Sequence, residues 1–197
     1  NNSVGAYFAP ARSKFWIDRS FFDFDTSGIT ATVDSATLKI KTRTNNGASL
    51  IAVKSGHDPS TATDDWFSTW LTGQSITLSG WGSGDVTAYS AETAAASDGV
   101  FTSITLNASA LSDLVSLSTF KIVVLDHDYD YSDSSPGTDE DHKTGFYYAD
   151  FSGTSSDPYI DYTLSTGYGN DVSGVASGDI SSVNGIATAD ISKIIGT

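Results

Sequence analysis

Two segments dense in large aromatics, FWIDRSFFDFD (Phe15 to Asp25) near the start and FYYADFSGTSSDPYIDYTL (Phe146 to Leu164) far downstream, limit what this chain can become. In an extended strand, successive side chains point to opposite faces. That phase places Trp16, Asp18, Ser20, Phe22 and Phe24 on one face of the first segment, and Arg19, Phe21, Asp23 and Asp25 on the other. In the last segment Tyr159, Asp161 and Thr163 alternate with Ile160, Tyr162 and Leu164. Each segment reads as a strand, or a pair of strands, around a short polar turn. The two are expected to lie close together inside one β-domain, with Trp16 in its core and Arg19 paired to Asp23 or Asp161.

The stretch between them has the same character. Ala36 to Thr42 is the cleanest alternation, with Leu38 and Ile40 inward and Thr37, Lys39 and Lys41 toward solvent. Asn45-Asn46-Gly47 is a hairpin signal, and Ser49 to Lys54 is read as the returning strand. Val100 to Leu106 is a further strand, and Thr119 to Leu125 is nearly all apolar, as in a central strand. Ser90 to Asp98 reads as a loop or short helix, and Ser109 to Leu117 as a helical turn capped by Ser109. The composition agrees. Ser and Thr supply 54 residues and 22 of the 24 acids are Asp, while helix-favouring Glu and Lys are scarce. The expected fold is all-β: an antiparallel jelly-roll β-sandwich over residues 13–164. Residues 1–12 form an N-terminal arm that Pro10 restricts to an edge strand or loop, and residues 165–197 a short irregular or partly helical appendage.

That appendage repeats itself. GVASGDISSVNG (Gly174 to Gly185) and GIATADISKIIG (Gly185 to Gly196) align at an offset of 11 residues. Val175 then matches Ile186, Asp179 matches Asp190, Ile180 matches Ile191, and Val183 matches Ile194. Each copy is expected as one helical turn, capped by Ser177 or Thr188, that cannot bury its own apolar face. The tail must therefore dock, either on its own domain or on a neighbour. In the second case Val175, Ile180, Val183, Ile186, Ile191 and Ile194, with Val4, Tyr7 and Phe8 of the N-terminal arm, are expected to serve assembly, the arm adding a strand to a neighbour's sheet edge.

Arg19, Phe24, Asp25, Ile29, Ala36, Leu38 and Ile40 at the opening, and Gly153, Asp157 and Pro158 at the close, carry a resemblance. The pattern resembles the DNRLRE-type jelly-roll modules over roughly residues 15–164. The terminal repeat is similar to short Gly/Ile/Ser tails of marine phage virion proteins. The resemblance implies a β-sandwich of secreted surface proteins, some beside polysaccharide-active domains, or of phage structural proteins. It brings no catalytic residue.

The charge excludes one class of partner. Lys and Arg total 10 against 24 acids, a net charge of −14 with no basic cluster, so no phosphate backbone is served. No run is long and apolar enough for membrane insertion. Absent Cys rules out disulfides and thiolate metal sites. The balance of Ser, Thr, Gly and Asp reads as an extracellular or virion-surface protein. There is no His-Glu-x-x-His pair, no Gly-x-Ser-x-Gly elbow and no Walker loop, so no enzyme is expected.

The segment DHDYDYSDSSPGTDEDHK (Asp126 to Lys143) is the outlier. Ca²⁺ takes six to eight oxygens. Asp126, Asp128 and Asp130 share one side if their strand continues, and Asp139, Glu140 and Asp141 approach on the returning arm, so the segment reads either as a solvated acidic loop or as a Ca²⁺ site, and any bound Ca²⁺ is expected at these residues. His127 and His142 flank the same segment. Trp66, Trp70 and Trp81 fall in loops, suited either to cap the open end of the sandwich or to stack on sugar rings. Function is therefore expected from assembly: a non-enzymatic structural subunit (decoration, fibre or filament protein) acting as a homo-oligomer or with other structural subunits. Glycan binding through the loop tryptophans, as in a carbohydrate-binding module, is the alternative.

Overall fold

The computed structural model describes residues 3–9, 14–56, 87–132, 134, 137, 141–165, 182–183 and 186–187. It is an antiparallel β-sandwich, as the alternation predicts. β1 (Ser3–Ala9), β2 (Lys14–Asp18), β4 (Val33–Asn45), β7 (Phe101–Thr105), β9 (Asp141–Phe146) and β10 (Tyr159–Leu164) form one sheet. Its order is β10-β4-β9-β1-β2, with β7 also on β4. β3 (Ser20–Asp25), β5 (Ser49–Lys54), β6 (Thr93–Ala94) and β8 (Thr119–Asp126) form the second, ordered β3-β8-β5-β6.

The core lies between the sheets. Leu38 and Ile40 of β4, Leu50 and Ala52 of β5, Phe120, Ile122 and Val124 of β8, and Phe22 of β3 all point into it. Burying one such side chain contributes about 1.5–3 kcal/mol. β8 is central, pairing Phe22↔Ile122 on one edge and Ala52↔Val124 on the other. Its opposite face is also buried, because Val123 and Leu125 pack with Ile51 and Val53 of β5. This is why both strands read as nearly continuous apolar runs rather than alternating ones.

The first aromatic segment splits at Arg19. β2 lies in one sheet and β3 in the other, so the chain turns a corner of the sandwich there. Trp16, expected in the core, stands on the outer side, 40% exposed and stacked on Tyr7 at 6.5 Å. Arg19 is paired with Asp130, a partner the alternation does not indicate. Its Nε and Nη2 donate to the two oxygens of Asp130 at 2.7 and 2.6 Å.

Asn45-Asn46-Gly47 makes no hairpin. β4 and β5 belong to different sheets, and the turn carries the chain from one to the other. Gly47 takes φ +91°, a conformation open to glycine, and its N–H donates to Asn45 Oδ1. Asn45 Nδ2 donates to the carbonyls of Ala95 and Ala96, and its backbone N–H to Asp98 Oδ1. These tertiary bonds override the local hairpin preference. Ser90 to Asp98 contains the two-residue strand β6 rather than a helix.

α1 (Ala108–Ser116) confirms the helical turn with a different cap. Asn107, not Ser109, accepts from the Ala110 N–H. Ala110 and Leu114 are buried, and Leu111 and Val115 pack beside them.

The expected N-terminal arm is corrected over residues 3–9. β1 is an interior strand, paired with β2 on one edge and β9 on the other, and Val4 is fully buried. From Gly5 to Tyr7 both edges are used, so this stretch is not free to extend a neighbour's sheet. The strand ends at Ala9, one residue before Pro10, which reconciles an interior position with the missing proline N–H. Gly5 is required by close approach: a Cβ there would stand 1.9 Å from the His142 carbonyl oxygen. In the repeat, β11 (Ser182–Val183) pairs antiparallel with β12 (Ile186–Ala187). Where helical turns are expected the chain is extended at these four residues. Asn184-Gly185 between them is a two-residue hairpin sequence.

Candidate functional site

Three features of the described residues have the chemistry of a site: the turn after β8, a Lys-Asp-Tyr cluster beside α1, and the edge strand β10.

β8 ends at Asp126, and residues His127–Tyr131 form a π-helical turn. The turn, not a continuing strand, decides where the acids go. Asp126 caps it, with Oδ1 accepting the Tyr129 N–H at 2.9 Å. Its Oδ2 is buried with no hydrogen-bond partner among the described residues. Burial pushes this carboxyl up to about 6, against the Tyr129 hydrogen bond, and the charges of Asp128 and Asp130 add to the rise. Asp130 turns inward and has both oxygens on Arg19. Asp128 turns outward to solvent, with Oδ1 at 3.2 Å from His127 Nδ1.

The three aspartates therefore do not share one side, and the expected Ca²⁺ constellation is not assembled from them. A run of alternating acids gathers its carboxylates only if it stays extended. Asp141 lies on β9 opposite Tyr7 and is exposed, while Asp139 and Glu140 lie outside the described residues.

A residue that alternation does not reveal joins the turn. Glu92 precedes β6, and Ser49↔Ala94 and Leu50↔Thr93 pair β6 to the start of β5. Leu50 also pairs with Asp126. Glu92 and His127 thus flank the same end of β5, with Glu92 Oε2 at 3.6 Å from His127 Nδ1. Ser49 Oγ donates to the other Glu92 oxygen at 2.6 Å. Glu92 is one of only two glutamates and His127 one of three histidines. Rarity was the available signal; the β5 register that joins them is not written in either segment.

Beside α1, Lys54 Nζ and the Tyr89 hydroxyl both donate to Asp113 Oδ2. Burial alone would raise the Asp113 carboxyl, but the hydrogen bonds from Lys54 and Tyr89 and the Lys54 charge bring it below the ordinary carboxylate value. Burial, and then the bond to Asp113, pushes the Tyr89 phenol up. The cluster ties β5 to the helix.

β10 closes the larger sheet. Among the described residues only β4 pairs with it, in the register Ile160↔Leu38 and Tyr162↔Ala36. Ile160 packs against the core, but Tyr159, Tyr162 and Leu164 are 45%, 42% and 44% exposed. Phe151, in the turn before it, is also exposed.

The other expected positions divide as follows. Tyr7 is half-buried, with Lys143 Nζ 4.7 Å from its ring centroid. Phe8 is placed by register opposite Phe15. Val183 and Ile186 are register partners in the β11–β12 pair. Trp66, Trp70, Trp81, Val175, Ile180, Ile191 and Ile194 lie outside the described residues. No helix among the described residues is long and apolar enough to cross a membrane. Compared with protein-family models, curated proteins and solved structures, the chain finds no match in any of the three.

Proposed function

We propose that this chain is a non-enzymatic structural subunit that works by associating with copies of itself, and that β10 is the joining surface. The observation that carries the reading is an edge strand with aromatic side chains exposed on both faces. Natural edge strands are usually blunted by Lys, Pro, bulges or a covering element. Tyr159 to Leu164 contains neither Lys nor Pro, its single charge is Asp161, and its pairing is regular up to a register shift between Thr163 and Leu164. Such an edge can accept a further strand from another molecule, with Tyr162 and Leu164 as its apolar anchors. The resemblance to jelly-roll modules of virion and surface proteins agrees with this role.

Net charge opposes the contact. Copies carrying −14 each repel, so association strengthens as salt screens them. The test is molar mass by light scattering against concentration and salt, beside circular dichroism. Tyr162→Lys with Leu164→Lys is expected to yield a monomer of unchanged fold. A wild-type chain that stays monomeric at high concentration and high salt rejects the reading.

Exposed Tyr159 and Asp161 on one face of β10 also suit a sugar ring and its hydroxyls, which favours glycan binding as the second reading. Glycan-array binding that is lost in Tyr159→Ala, with mass unchanged, would select it.

A further inference from the structure

We infer that Glu92, His127 and Asp128 form a binding site for a zinc-class divalent metal at the open end of β5. One donor atom from each residue lies within 4.8 Å of the others. From His127 Nδ1, Asp128 Oδ1 is at 3.2 Å and Glu92 Oε2 at 3.6 Å. Tetrahedral zinc holds nitrogen and oxygen at about 2.0–2.2 Å, which sets neighbouring ligands about 3.3–3.5 Å apart. The two donor separations from the imidazole bracket that spacing. Glu92 and Asp128 side chains are 53% and 44% exposed, so they can close on an ion and leave the fourth position to water.

The donor set selects the metal. Calcium and magnesium take oxygen ligands, whereas one imidazole with two carboxylates suits zinc and its neighbours. Two carboxylates also neutralise the ion's charge. Support around the donors is in place. The Ser49 hydroxyl holds one Glu92 oxygen and leaves the other toward His127. The His127 ring stacks on Tyr131 at 5.7 Å, which fixes its plane. Such outer contacts orient ligands and tune affinity. Next to His127 in the chain, Asp126 is fully buried, and its Oδ2 has no hydrogen-bond partner among the described residues.

The bound ion would clip the segment before β6 to the turn after β8, across β5. Because the donors come from segments about 35 residues apart, metal binding should favour the folded chain by mass action. The site is separate from β10, so it stands or falls independently of the assembly reading.

The experiment uses the full chain stripped with a chelator, titrated with Zn²⁺ by calorimetry and followed by thermal melting. One ion per chain is expected, with a higher melting temperature. Ser49→Ala should weaken binding by about tenfold to a hundredfold, and His127→Asn or Glu92→Gln by more. Co²⁺ in place of Zn²⁺ should give the visible bands of a four-coordinate site, lost in His127→Asn. Circular dichroism checks each variant, and Ser49→Ala with the Co²⁺ spectrum carries the test if a ligand variant misfolds. No heat and no melting shift at about 1 mM Zn²⁺ (millimolar affinity being only about 4 kcal/mol) overturns the inference. So does Zn²⁺ binding that survives in His127→Asn, or Ca²⁺ stabilising wild type and His127→Asn equally with Zn²⁺ inert.

Discussion

β3 and β10 each carry aromatics along six residues, yet Phe22 on β3 is 6% exposed and Tyr162 on β10 is 42% exposed. The two strands are alike in pattern and opposite in circumstance. Among the described residues β3 is itself an edge, but it lies against β8, whose apolar residues are buried on both faces. Phe22 stacks on Phe24 and on Tyr148 from the loop after β9. β10 lies against the start of β4, and only Ile160 reaches the core; Tyr162 and Leu164 continue the same face past the point where the second sheet covers it. Alternation fixes which side chains share a face. What covers that face is decided by the other sheet.

The sharpest break in the comparison is truncation. Phe22→Ala removes a ring from the packed core and should cost about 3–5 kcal/mol in urea unfolding. If Phe22→Ala and Tyr162→Ala cost the same, the two strands are not different in kind.

Next in size is the corner that delivers β3 to its sheet. The Arg19 and Asp130 side chains are 9% and 4% exposed and joined by two hydrogen bonds. Removing one partner of such a pair strands the other charge, at about 3–5 kcal/mol. Arg19→Ala and Asp130→Asn should therefore each destabilise strongly, and the double variant by less than their sum. Additive losses would mean that the pair is not coupled and the corner is held by packing alone.

A smaller effect tests how the buried sheet is lashed to the helix. The Asp113 carboxyl is lowered on folding, so its contribution is fully present above the ordinary carboxylate value of 3.8 and is lost as pH falls through the lower folded value. The side chains of Lys54 and Asp113 are partly exposed, which limits the contribution to about 1 kcal/mol. Asp113→Asn should flatten the acid limb of the stability curve by that amount and leave β10 association untouched. An unchanged acid limb would assign the helix docking to Ala110 and Leu114 alone.

These contrasts also mark what the sequence could carry. Leu38, Ile40, Ile122 and Val124 are buried as their alternation and apolar runs predict, because a strand's period is a local property. Asn45-Asn46-Gly47 misleads for a physical reason. The tripeptide specifies a tight reversal, not which sheet the next strand joins, and Asp98 with the Ala95 and Ala96 carbonyls makes that choice from some 50 residues away. The aspartates after Leu125 mislead likewise. Asp126 accepts the Tyr129 N–H and starts a turn, which scatters carboxylates that an extended chain would align. Arg19–Asp130 and Glu92–His127 are contacts across 111 and 35 residues, set by register and corner geometry. Neither partner carries a local mark of the other.

The smallest expected effect is the one that separates β10 from β3 most cleanly. Tyr162→Ser deletes a ring that already lies 42% in water, opposite Ala36 on β4. Its backbone pairing does not depend on the ring, and Ile160, which anchors the strand to the core, is untouched. A surface change of this kind alters stability by about 0.5 kcal/mol or less. Measured on dilute monomer, the unfolding midpoint should therefore stay where it is. If the exposed edge joins copies at high concentration and salt, as proposed, the wild type should gain apparent stability by mass action and the variant should not. The two unfolding curves should coincide at low concentration and separate as concentration rises. Curves already apart in the dilute limit would mean that Tyr162 is needed by the fold itself, and the difference between the two aromatic strands would shrink to one of degree.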